Sequence, residues 1–541
     1  MVHPNVHAPW RSDPAGRERG HMMRRLRLLL AAGICAGLSA CAVGPNYRRP
    51  AAPPAAMFKE ERGWVPASPA KIVPSAWWAI YRDPVLARLE SRVDVSNQTL
   101  KAAVAAYYAA QAAAGVTRGT LFPSINLGAA QTRSGGGAAS QFTFGGARTA
   151  NELGASGSWD IDLWGQLRRE LQSANAEAQV SAADVAAAQL SAQTTLAGDY
   201  FQLRAAEQQL RYLKIAVKDD ALSLRVSVNQ ERAGVTTLAA VYSARTTLES
   251  TQSQEQSAEL TRANLEHAIA VLIGEAPGQL SLAYGHLAAQ VPVVPAGVPS
   301  QLLLRNPAVA AAERTMASTN AQIGVAEAAW FPSLTLSGSY DFDSAALSSL
   351  IRASNAVWSF GPSIAANLFN GGATLAKVRE ARATYDEAVA DYRQTVLSTF
   401  EQVENDLATL RYLQVEYGEE LQAVQDAKRA EVLTFNQYKA GTADYATLLS
   451  AQTAELTAEV TLVGLQSQRL VASVDLIDAL GGGWNSAELH RSNDGVHATL
   501  RSTVQLPASQ VDTGALHAPG GFRDPHDSPV LARQRTAPGS P

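Results

Sequence analysis

Cysteine is nearly absent from this chain. The 541 residues hold two, Cys35 and Cys41, both near the N-terminus, so the remainder has no disulfide framework and no thiolate metal site. Of nine histidines only His267 and His286 lie between Cys41 and Trp484, and no His/Glu set has metal-ligand spacing. There is no G-x-S-x-G elbow, and Gly135-Gly136-Gly137 lacks the strand-helix context of a phosphate loop and reads as an external loop. These absences argue against an enzyme, a metal centre or a cofactor. Met57 and Met316 are the only methionines after Cys41, which offers little to a soft-metal relay. With 45 basic and 49 acidic residues the net charge is -4, which argues against nucleic-acid binding. The apolar run Leu28–Ala40 is too short to span a bilayer. Proline is missing from Ser124 to Ala276 and again from Ser363 to Leu506. A proline inside a helix costs about 3 kcal/mol, so these gaps are where long helices can run.

What is present is a duplication. Leu121-Phe122-Pro123-Ser124-Ile125-Asn126-Leu127 recurs as Trp330-Phe331-Pro332-Ser333-Leu334-Thr335-Leu336, and Asn229-Gln230-Glu231-Arg232-Ala233-Gly234 as Asn436-Gln437-Tyr438-Lys439-Ala440-Gly441. Pro277, Pro292, Pro295, Pro299 and Pro307 mark the seam between the copies. Leu196, Leu203, Leu210, Val217 and Leu224 recur every seven residues, and Tyr385, Val389, Tyr392, Val396, Val403, Leu407 and Leu410 keep the 4-3 spacing of the same repeat. From Arg168 to Arg232 such a helix is on the order of 95 Å long at 1.5 Å per residue, and Leu375 to Lys439 is similar. Each ends on a basic residue and then a glycine, Gly234 or Gly441. Thr236 or Thr237 can cap the first returning helix, and Thr442 or Asp444 the second.

Short segments alternate with period two. Leu334, Leu336, Tyr340 and Phe342 oppose Ser333, Thr335, Ser337, Ser339, Asp341 and Asp343; Trp358, Phe360, Ile364 and Leu368 oppose Ser359, Ser363 and Asn367. In the first copy Ile125, Leu127 and Ala129, and later Trp159, Ile161 and Leu163, do the same. About ten alternating residues suit a membrane-spanning strand. A half-buried sheet in a soluble protein gives the same pattern. If the strands lie in lipid, four cannot close a barrel, because the smallest membrane barrels have eight, and an open edge would leave backbone groups unsatisfied at several kcal/mol each. Other subunits must complete it.

Arg24, Arg25 and Arg27 before the apolar run, then Leu38-Ser39-Ala40-Cys41, resemble a bacterial lipoprotein signal, with translation starting at Met22 or Met23 as an option. Cys41 is then the acylated mature N-terminus, and Ala42 after it permits export to the outer membrane. Cys41-Ala42-Val43-Gly44-Pro45-Asn46-Tyr47, Trp77-Trp78, Asp83-Pro84-Val85-Leu86, Trp159 to Gly165, Leu368 to Gly372 and Pro299 to Pro307 with Ala312-Glu313-Arg314 all resemble the outer-membrane factors of tripartite efflux systems, the TolC, OprM and NodT type.

The resemblance implies a mixed α and β membrane protein. A homotrimer builds a twelve-stranded outer-membrane β-barrel, four strands per chain, continuous with a long periplasmic α-helical barrel. The divisions expected are a signal peptide 1–40, a lipidated extended tether 41–84, repeat 1 over 85–276, an equatorial linker 277–300, repeat 2 over 301–484 and a disordered tail 485–541. Repeat 1 holds strands at about 121–134 and 148–164 and helices at about 166–233 and 236–274. In repeat 2 the strands are at about 331–343 and 357–369, and the helices at about 372–440 and 443–480.

The implied partners are a periplasmic adaptor, an inner-membrane pump of the RND type and outer-membrane lipid. The implied function is a passive exit duct for drugs or small toxic compounds, with type I protein secretion or heavy-metal efflux as alternatives. A periplasmic adaptor or another coiled-coil lipoprotein is the rival class, but it has no need of duplicated strands. Carried over by position, the adaptor-contact tips are Arg232, Gly234, Val235 and Thr236, and Lys439, Gly441 and Thr442. A periplasmic gate falls on Tyr438, Asp444, Thr447 and Ser450. Relatives often carry aspartates where Thr447 and Ser450 stand, and Ala240 replaces a carboxylate in the first tip, which argues against a carboxylate-ring gate here. Tyr438 and the Asp444 region are expected to close the gate by packing and hydrogen bonding.

Overall fold

The computed structural model describes residues 42–51, 53, 59–61, 76–135, 148–294, 305–487 and 489. The signal peptide, Cys41, Met57, Gly136 and Gly137, the run 295–304 and nearly all of the tail lie outside the described residues.

Helix α1 (Pro84–Ser96) leads into α2 (Gln98–Gly119), strands β1 (Ser124–Ser134) and β2 (Arg148–Asp160), and the 67-residue α3 (Gln166–Arg232) with its return α4 (Leu238–Leu272). The order then repeats: α5 (Pro307–Ala328), β3 (Ser333–Ser344), β4 (Ala356–Ala365), the 67-residue α6 (Ala373–Lys439) and α7 (Tyr445–Ala479). The copies agree in helix length: α2 and α5 have 22 residues each, and α4 and α7 have 35.

Several strand limits differ from the sequence expectation, for local reasons. Phe122 and Phe331 still donate to helical carbonyls, Gly119 O and Ala328 O, so β1 and β3 begin only after Pro123 and Pro332. Strand β2 stops at Asp160 rather than 164. Asp162 turns away to accept from the N–H groups of Leu167 and Arg168, supplying the cap that Gly165 lacks a side chain to provide. Strand β4 stops at Ala365 rather than 369; Asn370 bonds Thr374 Oγ1 at the head of α6.

The four strands form one antiparallel sheet in the order β1-β2-β3-β4. Its register sorts the side chains, because cross-strand partners share a face. Leu127, Ala155, Tyr340 and Trp358 are in line across the sheet, as are Ile125, Gly157, Gly338 and Phe360. On the other face Ser156, Ser339 and Ser359 are in line, as are Ser158, Ser337 and Gly361. The sheet therefore has one apolar face and one polar face, which carries these hydroxyls together with the carboxylates of Glu152, Asp341 and Asp343.

Near the sheet the helices pack in the order α2-α3-α5-α6, and toward the tips in the order α4-α3-α7-α6. The change of partner occurs at a belt halfway along. There Trp77, Leu86, Leu196, Tyr200, Phe201, Leu203, Leu407, Leu470 and Ile477 form the main apolar core. Two asparagines join the shorter helices end to end. Asn97 Oδ1 accepts from Leu100 N while its Nδ2 donates to Leu272 O at 2.8 Å. Asn306 does the same with Val309 N and Ala479 O at 3.1 Å. Gly274 and Gly481, both at positive φ, admit the close approach, since a Cβ at either would collide with Ser96 O or Arg305 O.

The heptad stripe on α3 is buried only in part. Leu196, Leu203 and Leu210 are buried, but Val217 and Leu224 are half-exposed, and Asp220, Ser223 and Ser227 take the buried positions near the tip. A helix of 3.6 residues per turn drifts against a seven-residue repeat, so the buried face moves around it.

Candidate functional site

Both tips close with the same hydrogen bonds. Gly234 N donates to Glu231 O and Val235 N to Gln230 O, each at 2.8 Å; Gly441 N reaches Tyr438 O at 3.0 Å and Thr442 N reaches Gln437 O at 2.9 Å. The glycines adopt φ +71° and +73°, a conformation that any β-carbon strains. Of the alternative caps, Thr237 and Asp444 are the ones used. Arg232, Gly234, Val235, Lys439, Gly441 and Thr442 are exposed and Thr236 is half-buried.

The four gate positions separate into two groups. Tyr438 is buried between the two hairpins of its own chain, packed with Ala244, Tyr445 and Leu448, and its hydroxyl lies 3.0 Å from Ser227 Oγ. Asp444, Thr447 and Ser450 are exposed. Asp444 accepts from Thr447 N at 2.8 Å and Thr447 Oγ1 at 2.6 Å, and those bonds hold its carboxyl below the usual range.

Between Tyr438 and the belt lies a carboxylate-rich seam that the sequence patterns did not flag. Asp219 and Asp220 of α3, Glu431 of α6, and Glu455 and Glu459 of α7 line one cavity. Lys428 Nζ bonds Glu459 Oε1 at 2.5 Å. Burial first, then Glu431 and Glu459, push the Glu455 carboxyl up to about 7. These acids come from separate helices, so no local spacing announces them.

At the other end, Phe122, Trp330, Phe331, Leu368 and Phe369 are exposed at the junction of sheet and helices, while Ile125, Trp358, Phe360 and Ile364 are exposed on the apolar sheet face. An exposed aromatic girdle below an apolar strand band matches a membrane interface. Among the described residues no helix is long and apolar enough to cross a bilayer. Every layer has two open edges: β1 and β4 in the sheet, α2 and α6 below it, α4 and α6 toward the tips. Lipid tolerates no open sheet edge, so the apolar band, the girdle and the open edges define a subunit of a closed channel through a membrane.

The sequence profile of the outer membrane efflux protein family matches twice, over residues 89–275 and 298–482, and the chain belongs to that family. It is 31% identical over 417 residues to the pyoverdine export outer membrane protein OpmQ of Pseudomonas aeruginosa, covering 76% of this chain and 88% of that one. It is 28% identical over 475 residues to the cation efflux system protein CusC of Escherichia coli, covering 84% and 98%. The solved outer-membrane channel OprN superposes with a TM-score of 0.76 at 29% identity, over 82% of this chain and 100% of that one. The protein is thus an outer-membrane efflux channel of the tripartite type and not an enzyme. Three chains of four strands close its twelve-stranded barrel above a periplasmic helical barrel.

Proposed function

We propose that this channel is the exit duct for drugs and other small toxic organic compounds, acylated at Cys41 and fed by an RND-type inner-membrane pump through a periplasmic adaptor. The adaptor grips Arg232, Gly234, Val235 and Thr236 on one tip and Lys439, Gly441 and Thr442 on the other. Tyr438, bonded to Ser227 across the two hairpins, is the closing element, with Asp444, Thr447 and Ser450 at the pore-side ends. The observation that carries the substrate reading is the serine-rich strand face, Ser156, Ser158, Ser337, Ser339 and Ser359. Small hydroxyls bind nothing tightly and let dissimilar solutes pass.

Export of copper or silver is favoured by the likeness to CusC. Against it, Met316 is fully buried with Val309, Tyr392 and Val396, where its sulfur meets no passing ion. Deleting the gene and measuring susceptibility separates the two readings. Sensitisation to several organic compounds with unchanged copper and silver tolerance supports organic efflux, and the reverse profile rejects it. Gly441→Val tests the tip: its φ of +73° penalises a β-branched residue, so adaptor-dependent efflux falls while trimers persist.

A further inference from the structure

The start of each long helix has a quasi-equivalent seat beside a 22-residue helix: α3 beside α5 within one chain, and α6 at the open edge, where the α2 of a neighbouring subunit closes the layer. Helices α3 and α6 both begin after a left-handed glycine, Gly165 at φ +84° and Gly372 at φ +86°. Helices α2 and α5 both carry glycine at their eighteenth position, Gly115 and Gly324. Around Gly324 the space is full: a Cβ there would meet Arg169 Nε and Val43 O, both at 2.9 Å.

The filling is the chain's own N-terminal segment. Val43 N donates to Trp164 O at 2.9 Å. Ala42 lies against Gly165, and Gly44, at φ +91°, lies against the Gly324 backbone. Arg169, 3% exposed, holds the segment: Nε donates to Val43 O at 3.1 Å, and one terminal nitrogen donates to both Gly44 O and Asn46 Oδ1 at 3.0 Å. Beyond it Asn320 bonds Pro45 O, Tyr47 bonds Glu313 and Arg49 bonds Tyr392. The position equivalent to Arg169 in the second copy is Ala376, which is exposed. Withdrawing the segment would leave a buried guanidinium without three of its acceptors, and a buried donor left without a partner bears its full desolvation penalty.

We propose that Arg169, which has no counterpart at Ala376 in the second copy, is a latch that selects the α3–α5 slot as the seat of the N-terminal segment, thereby fixing Ala42 at the junction of sheet and helices. The consequence for lipid rests on the reading of Cys41 above: the acyl chains enter the membrane at the aromatic girdle. The choice of slot does not depend on it.

Hydrogen exchange on the purified full-length trimer tests the latch. In Arg169→Met the amides of residues 43–47 are expected to exchange at least about tenfold faster, the loss of one or more charged hydrogen bonds, while the α3 and α5 belt amides keep their rates. Gly324→Val, which closes the seat from the other side, has the same effect, and Arg169→Lys, which keeps a charged donor, has a smaller one. Failure of the first two to trimerise while Arg169→Lys assembles also supports the latch. Assembled Arg169→Met with wild-type exchange in the segment overturns it, as does equal failure of all three variants. Palmitate labelling of the same preparations reads the lipid assignment separately: labelled protein with an unprotected segment defeats only the latch, and unlabelled protein with a protected segment defeats only the acylation.

Discussion

Helix α3 runs unbroken from the sheet to the tip, but its two halves are buried by different chemistry. At the belt Leu196, Tyr200, Phe201 and Leu203 meet Trp77, Leu407 and Leu470 in an apolar core, each large side chain contributing about 1.5–3 kcal/mol by leaving water. Toward the tip the buried positions are Asp220, Ser223 and Ser227, facing Glu431, Gln452 and Glu455. Polar contacts exchange easily with water and contribute little net stability. On the proposed gating, the apolar belt and the polar seam of one helix let the tip hairpins part while the tube keeps its shape.

Leu203→Ala strikes the belt and should cost about 3 kcal/mol, seen as a lower melting temperature of the trimer. Leu224→Ala, half-buried at the seam, should cost about 1 kcal/mol; equal losses would erase the distinction between the halves. Next in size is Glu90, buried in the belt on α1 with both carboxylate oxygens unpartnered. Desolvation, with a smaller contribution from Asp94, pushes its carboxyl up to about 9. The folded protein therefore retains a proton that the unfolded chain releases near its ordinary value. Stability is full below that value and is lost as pH rises toward 9. Glu90→Gln should gain about 2–3 kcal/mol at pH 8 and nothing at pH 4, so a melting curve that stays pH-dependent to the same extent would exclude this role.

Tyr438→Phe removes only the bond to Ser227, about 1 kcal/mol. Trimers should melt unchanged while single-channel conductance rises; unaltered conductance would show that the seam does not close the pore. The smallest effect belongs to the carboxylates. Because Glu455 is pushed up to about 7, and Asp219, Asp220 and Glu431 are raised by burial, the seam is tightest when they are protonated and loosens as pH rises through about 7. Glu455→Gln should reduce that dependence, measurable as hairpin-to-hairpin distance by spin labelling at pH 6 and pH 8.

Much of this architecture was legible in the residue order. Proline gaps located both long helices, Arg232-Ala233-Gly234 and Lys439-Ala440-Gly441 located both tips, and period-two alternation located all four strands. The misjudged strand ends were those where a bond leaves the segment: Asp162 turns to cap α3, and the backbone N–H groups of Phe122 and Phe331 stay bonded to the preceding helices. Asn97 and Asn306 were not singled out in the sequence, and their links to Leu272 O and Ala479 O far along the chain exist only in the fold. Arg169 looked like any helical arginine; its burial depends on a segment more than a hundred residues earlier.

By itself the sequence determined the periodicities, the stop signals and the duplication, because each follows from neighbouring residues and backbone sterics. Which face of each long helix is buried, which slot takes the N-terminal segment, and which residue meets the Tyr438 hydroxyl were decided only by tertiary structure. Burial and hydrogen bonding depend on what is near in space, and two copies of one pattern become unequal only when each meets different neighbours.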